Sequence, residues 1–312
     1  MNNLTYLPLL EQYISENGAT ARFTVPFLKR KNTYNVELQN WADYQDLRKG
    51  IITIRQSGIR VKAPDYFPCL THIPNIPIIY DKQEYRYLNK EELLSLQSFP
   101  TNYQFPENYS LTKIASLLGN SLNLTALKYF LQDKLPLSPS SFSGLKIVIN
   151  YKFVDLFAGI GGFHLVLKGL GSNCVLALDN NKNSQEIYSL NFPKTPFLLG
   201  DINDKQIQKK IISTDFDLLC AGFPCQPFSR AGKKEEKSQE LESLLRIIKK
   251  KQPKYLLFEN VPNFLTSSGS SKFLLPILTN YQIQITILNP KDLGIKHNRP
   301  RLFIWGQKKQ QF

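Results

Sequence analysis

The sequence of 312 residues holds one methionine, two tryptophans and four cysteines. Four cysteines (Cys69, Cys174, Cys220 and Cys225) are too few for a disulfide scaffold and fit a reducing compartment. Cys220 and Cys225 stand near each other, but no second Cys/His pair lies at zinc-ligand spacing, so no metal is expected. No apolar run approaches the ~18–20 residues that span a bilayer, which argues against a membrane protein. Met1-Asn2-Asn3-Leu4 offers no basic region ahead of an apolar stretch. A secretory signal is therefore not expected, and a cytoplasmic setting is. There is no internal repeat and no long low-complexity tract. Acidic charge is in short supply: 25 Asp+Glu face 39 Lys+Arg, a formal net charge of +14. That excess points to a polyanionic partner, most simply nucleic acid. The hydrophobic fraction of 42% supports a sizeable core and excludes a wholly disordered chain.

The charge is uneven. Residues 201–312 hold 19 basic and 10 acidic residues, whereas residues 1–85 hold 10 and 8. Composition changes near residue 135, where Leu135-Pro-Leu-Ser-Pro-Ser-Ser-Phe-Ser-Gly144 reads as a linker. Before it, Leu122, Ala126 and Phe130 recur on one helical face. After it, strands and helices alternate. Strands are expected at 153–157, 174–178, 217–221, 255–258, 283–288 and 302–305, and one ending before Gly200-Asp201. Helices are expected at 163–170, 184–191 and 241–250. This alternation predicts a doubly wound, mostly parallel α/β sheet. Residues 1–85 scatter prolines and glycines among short runs such as Ile51-Ile-Thr-Ile54, and read as a small, irregular, β-rich module.

In such sheets ligands bind beyond the carboxyl ends of the strands, and the unusual residues fall there. Asp155-Leu-Phe157-Ala-Gly159-Ile-Gly161-Gly162 follows the first strand and opens a helix, so backbone N–H groups face a ligand. Asp179 ends the second strand, where a ribose diol would sit, and Asp201 ends the third. Pro224 and the proline after Gln226 stiffen the loop that presents Cys225, a candidate nucleophilic thiolate. The bland alternative for Cys225 is a buried core cysteine. Glu259 of Glu259-Asn260-Val261 ends the next strand at the same edge. A thiol and a carboxyl together suit attack on an electron-poor ring with acid assistance.

Four segments together resemble the motifs of the C5-cytosine DNA methyltransferases. They are Asp155–Phe163, Gly222-Phe-Pro-Cys-Gln-Pro-Phe-Ser229, Glu259-Asn-Val261 and Gly294-Ile-Lys-His-Asn-Arg-Pro-Arg301. Two further segments resemble motifs that end the family's usual order: Arg86-Tyr-Leu-Asn-Lys-Glu-Glu92 through Gln97-Ser-Phe-Pro100, and Gly119-Asn120-Ser121-Leu122. Here they come first, so the economical reading is a circular permutation. Residues 1–85 would then be the target-recognition domain and 86–312 the catalytic domain. Within the latter, 86–133 carry the late motifs, 134–150 the join, and 151–312 the cofactor and catalytic core.

The resemblance implies a methyltransferase fold acting in DNA methylation, with S-adenosyl-L-methionine as cofactor and double-stranded DNA as partner. It implies a monomer in a bacterial or phage-type cytosol, with a cognate restriction endonuclease beside it. A target cytosine would be flipped out of the duplex, because C5 and C6 are inaccessible while stacked. Cys225 would add to C6, Glu259 would bond N3 and the exocyclic amine, and Arg301 would meet the O2 side. Arg299 would support the loop or a phosphate. Phe157, Gly159 and Gly161 would flank the cofactor. Asp179 would hold its ribose and Asp201, with Ile202, its adenine. Asn120 and Ser121 would cap the methionine end, and Pro224 would shape the nucleophile loop. Several positions depart from the pattern. His297 stands where Gln is usual, and Asn89 where Thr is usual. Cys69, where Thr-Leu is common, reads as structural. Gly232–Leu241 is the weakest match and argues for reduced activity. The competing readings are a catalytically weak DNA-binding relative and a tRNA cytosine-5 methyltransferase. The concentration of positive charge in 201–312 is expected to grip phosphates near the chemistry.

Overall fold

Four consecutive buried residues, Phe153 to Leu156, follow an exposed Lys152, as expected of a strand covered on both faces. In the computed structural model of the chain they form part of a seven-stranded sheet. The structure describes residues 3–18, 20, 22–29, 33–39, 46–55, 58–73, 75–132, 134, 151–224 and 239–310.

The N-terminal module opens with a helix, α1 (Leu7–Asn17). Six strands follow: β1 (Arg22–Lys29), β2 (Thr33–Gln39), β3 (Ile51–Arg55), β4 (Gly58–Lys62), β5 (Ile78–Asp81) and β6 (Glu84–Tyr87). They form one sheet ordered β1-β2-β4-β3-β5-β6. Leu7, Leu10 and Ile14 repeat at helical spacing and bury α1 in a small core with Val36, Ile52 and Val61. The module is β-rich as expected, and α1 is an addition to that reading. Its sheet runs to Tyr87, two residues beyond the expected boundary.

Three helices come next: α2 (Lys90–Leu96), α3 (Leu111–Asn120) and α4 (Leu124–Leu131). Each has a side-chain N-cap, from Asn89, Ser110 and Asn123. Asn89 forms a complete capping box. Its side chain accepts from Glu92 N, and its own N–H donates to Glu92 Oε2, both at 2.8 Å. Asn in place of Thr therefore keeps the cap.

The larger unit contains β7 (Lys152–Leu156), α5 (Gly162–Gly169), β8 (Asn173–Asp179), α6 (Lys182–Asn191), β9 (Phe197–Leu199) and α7 (Lys205–Ser213). It continues with β10 (Leu218–Ala221), α8 (Gln239–Lys251), β11 (Tyr255–Asn260), α9 (Ser268–Leu278), β12 (Tyr281–Leu288) and β13 (Arg301–Lys308). The strand order is β12-β13-β11-β10-β7-β8-β9. β7 to β11 pair in parallel, and β13 lies antiparallel between β11 and β12. The expected strands are all present. Helices α7 and α9 were not anticipated.

The chain winds outward from β7 through β8 to β9, then returns to β10 and continues the other way. A crevice opens where the order reverses. One core joins α2–α4 to α5 and α6 on one face of the sheet, and a second lies under α7–α9 on the other. Residues 90–131 thus belong to the same core as β7. Among the described residues no helix is long and apolar enough to cross a membrane.

Candidate active site

Directly after β7 the backbone takes positive φ at Phe157 (56°), Gly159 (53°) and Gly161 (82°). The segment therefore turns tightly and points the first N–H groups of α5 at the crevice. Gly161 is the N-cap of α5, and a Cβ there would run into the Phe192 ring. Asp179, at the end of β8, braces this turn. Its Oδ2 accepts from Gly159 N and its Oδ1 from Asn181 N, each at 2.8 Å. Burial pushes the Asp179 carboxyl upward, against the pull of these N–H donors. Asp201, beyond β9, is exposed and accepts from Asn203 N at 2.8 Å.

The opposite wall comes from the end of α3. A Cβ on Gly162 would stand 3.0 Å from Leu122 Cγ and 3.1 Å from Ser121 Oγ, so the two walls meet closely. The Asn120 amide donates to His72 Nδ1 at 3.0 Å, which ties the end of α3 to the N-terminal module.

Between these walls lies a cleft of about 390 Å³, within the usual range for small-molecule sites. Phe157, Gly159, Asp179, Asp201 and Ile202 line one part of it, Asn120 and Ser121 another. Pro224, Glu259, Arg299 and Arg301 line its far end. Gly161 lies outside the lining, at the base of the turn. Cys225 falls outside the described residues, as do Gln226, Ser229 and most of the segment 232–241. Pro224, immediately before Cys225, is the last described residue on that side.

Glu259 and Arg301 form a partly buried pair, Oε1 to Nε 3.0 Å. Burial raises the Glu259 carboxyl, and the two arginines, Arg301 foremost, oppose the rise. Arg299 is buried completely and faces inward. Its Nη1 donates to Leu70 O (2.6 Å) and Cys69 Sγ (3.1 Å), its Nη2 to Gly119 O (2.8 Å) and Ser121 O (2.6 Å). One guanidinium thus ties the segment after β4 to the end of α3, with its fork satisfying carbonyls on both. Burial pulls its pKa down to about 10. His297 is also fully buried. Its Nδ1 donates to Leu96 O (2.9 Å) and its Nε2 accepts from Leu70 N (3.2 Å). A neutral imidazole supplies one donor and one acceptor, as the amide of Gln does.

Sequence reasoning assigned no role to Asn260. It is buried and donates to Phe223 O at 3.1 Å, anchoring the chain two residues before Cys225. Its place directly after Glu259 at a strand end was the available signal. Asn180, Asn181 and Glu240 also line the cleft and were not named as site residues.

The doubly wound sheet, its antiparallel β13, the glycine turn and the carboxylates ending successive strands define a methyltransferase-type fold. The chain belongs to the C-5 cytosine-specific DNA methylase family, whose sequence model matches residues 9–133 and 151–312. Among its relatives, the type II methyltransferase M.HhaI of Haemophilus parahaemolyticus is 37% identical over 169 residues, 51% of this chain and 50% of that protein. M.HpaII of Haemophilus parainfluenzae is 35% identical over 168 residues, 50% of this chain and 46% of that one. The chain thus aligns with about half the length of these relatives. The crystal structure of S. pombe Dnmt2 methyltransferase matches 52% of this chain and 53% of that one, at 28% identity and a TM-score of 0.46.

Proposed function

We propose that the protein methylates C5 of a flipped-out cytosine in a specific duplex DNA sequence, with S-adenosyl-L-methionine as methyl donor. The observation that carries this reading is the half-buried Glu259–Arg301 pair in the same cleft as the glycine turn and Asp179.

The cleft suits the donor. Phe157 and Ile202 offer an apolar wall for adenine, Asp179 and Asp201 offer acceptors for ribose hydroxyls and an amine, and Asn120 and Ser121 close the other end. When bound, S-adenosyl-L-methionine supplies an electrophilic methyl group. The protein's share is to make C5 nucleophilic. Cys225 supplies a thiolate for C6. Glu259, its carboxyl raised by burial, bonds N3 and the exocyclic amine and delivers a proton as electron density moves into the ring. Arg301 holds Glu259 and presents its guanidinium toward O2. After C5 gains the methyl group and loses its proton, the C6–S bond breaks and Cys225 is regenerated. Asn260 keeps the nucleophile loop in register through Phe223.

The motif order supports a circular permutation. The end of α3, from the part of the chain before the linker, lines the cleft opposite the glycine turn. Residues 1–85 would then read the target sequence, and the enzyme would work as a monomer in the cytoplasm beside a restriction endonuclease.

The test is covalent trapping. On incubation with S-adenosyl-L-methionine and duplex DNA containing 5-fluorocytosine, the wild type forms an adduct stable to denaturation. Cys225→Ala forms none. DNA binding without any adduct in the wild type would instead favour a DNA-binding relative that has lost catalysis. Bisulfite sequencing of DNA from expressing cells gives the target sequence.

A further inference from the structure

Among the described residues, much of the charge excess of residues 201–312 lies at the edge of the sheet away from the cleft. The parallel strands β7, β10 and β11 start at that edge, and α7 and α8 end there. Helix α8 measures the separation. Glu240 in its first turn lines the cleft, while Lys249, Lys250 and Lys251 fill its last turn, about 15 Å further along the axis. Helix α7 packs against α8 and carries Lys210 in its last turn.

Backbone hydrogen bonds knit the rest of this edge. Asp217 N donates to Lys152 O (2.8 Å), Tyr255 N to Asp217 O (3.0 Å) and Lys308 N to Lys254 O (2.9 Å). The local carboxylates, Asp215 and Asp217, are engaged by Lys152 (2.7 Å) and Lys254 (3.0 Å). Lys210, Lys249 and Lys250 are exposed.

Complementarity to a helix dipole explains a cation at each helix end. It does not explain the spread of lysines over two helix ends, the turn at Lys254, the start of β7 and the end of β13. The cleft edge differs. Among the described residues, Asp179, Asp201, Glu240 and Glu259 line it, and Arg299 and Arg301 there bond within the protein.

We propose that the far edge is a second binding surface for the phosphate backbone of duplex DNA, holding a segment separate from the one whose base enters the cleft. The choice of duplex DNA as the polyanion rests on the function proposed above. Exposed ammonium groups act as point charges toward phosphate without reading sequence. A second segment held there raises the local concentration of DNA, so the protein passes between segments without full release.

The test is bridging. The protein is bound at low salt to an immobilised duplex, and a free fluorescent 30-base-pair duplex is added. The wild type captures the free duplex. K210Q/K249Q/K250Q binds the immobilised duplex and melts at the wild-type temperature, but captures several-fold less. The log–log salt slope of capture falls by about 2–3, near 0.9 for each lysine that meets a phosphate. Equal capture by the variant, or no capture by the wild type while it binds the immobilised duplex, overturns the second surface and leaves the proposed function standing. Failure of the wild type to bind the immobilised duplex overturns both.

Discussion

Arg301 Nε lies 3.0 Å from Glu259 Oε1, and each side chain is 14% exposed. The two residues come from neighbouring antiparallel strands, β13 and β11, and so are held by the sheet rather than by a loop. Burial raises the carboxyl while Arg301 restrains it, so Glu259 holds a proton more readily than an exposed carboxylate does. Glu259→Gln keeps a donor toward N3 but cannot release a proton. It is expected to lower kcat by ~10²–10⁴ with DNA affinity changed only a few-fold. Arg301→Ala removes the cation that opposes the rise, so the limb of the pH–rate profile belonging to Glu259 moves to higher pH. Single-turnover methyl transfer across a pH series measures both.

Arg299 has a different task from Arg301, although the two stand one residue apart. Its fork reaches carbonyls of two chain segments more than 40 residues apart in sequence, at Leu70 and at Gly119 and Ser121. A lysine keeps the charge but cannot span both. Arg299→Lys is expected to cost on the order of 3 kcal/mol, because buried carbonyls lose charged donors. It should also weaken cofactor binding several-fold as Asn120 and Ser121 come loose. Urea titration and calorimetry with S-adenosyl-L-methionine separate the two effects.

Much of this was legible in the sequence because it rests on short-range signals. The run Phe153–Leu156, the glycine turn and the carboxylates at strand ends each announce themselves within a few residues. The inward role of Arg299 does not. Its partners lie some 180 to 230 positions away, and nothing in the spacing of Arg299 and Arg301 says which faces the cleft. Helix α1 was hidden for another reason: its apolar stripe of Leu7, Leu10 and Ile14 is short and lies in a region rich in strand and turn signals. Helix α7 was obscured by its lysines and glutamines, which leave only Ile207, Ile211 and Ile212 to mark a face. The far-edge lysines show the limit most clearly. Composition gave their sign and their half of the chain, but strand direction put them away from the chemistry.

His297 makes stability depend on pH in a calculable direction. Burial, with the neighbouring arginines, holds its imidazole neutral, with the pKa pulled down to about 3. His164, packed against Phe192 and hydrogen-bonded to Tyr188 OH, is pulled to about 3 as well. In the unfolded chain both take up a proton near pH 6.5. Through these two residues the unfolded state binds more protons as pH falls below 6.5, so their contribution to stability declines from there down to about pH 3, while the raised carboxyls of Asp155, Asp179 and Glu259 act in the opposite direction. The loss at pH 5 is about 2 kcal/mol per histidine. His297→Gln keeps one donor and one acceptor, so its stability at pH 7.5 should be near wild type. Its loss between pH 6.5 and 4.5 should be smaller than that of the wild type by the share of one histidine. Urea midpoints over that range test this, and an unchanged slope in the variant would remove His297 from the account.

Cys69 is set apart from the other described cysteines by its surroundings. Its Sγ lies 3.1 Å from Arg299 Nη1 and 4.0 Å from Arg301 Nη2, and these cations draw the thiol pKa down although burial pushes it up. Cys174 is pushed up to about 12 by burial, and Cys220 well above its ordinary value. The thiolate is the reactive form, and Cys69 is half-buried while the other two are buried. In a Cys225→Ala background, brief treatment with N-ethylmaleimide is expected to label Cys69 first. Cys174 and Cys220 should react only after denaturation. Peptide mapping reads the order. Labelling places a bulky group between the segment after β4 and the Arg299–Arg301 pair, where these arginines meet Cys69 Sγ. Cys69→Thr keeps an acceptor for the arginines and removes the thiol. That variant should retain activity within a few-fold and lose the Cys69 adduct. If Cys69→Ala proves equally active and equally stable, the arginines do not need the acceptor, and the sulfur is only filling space.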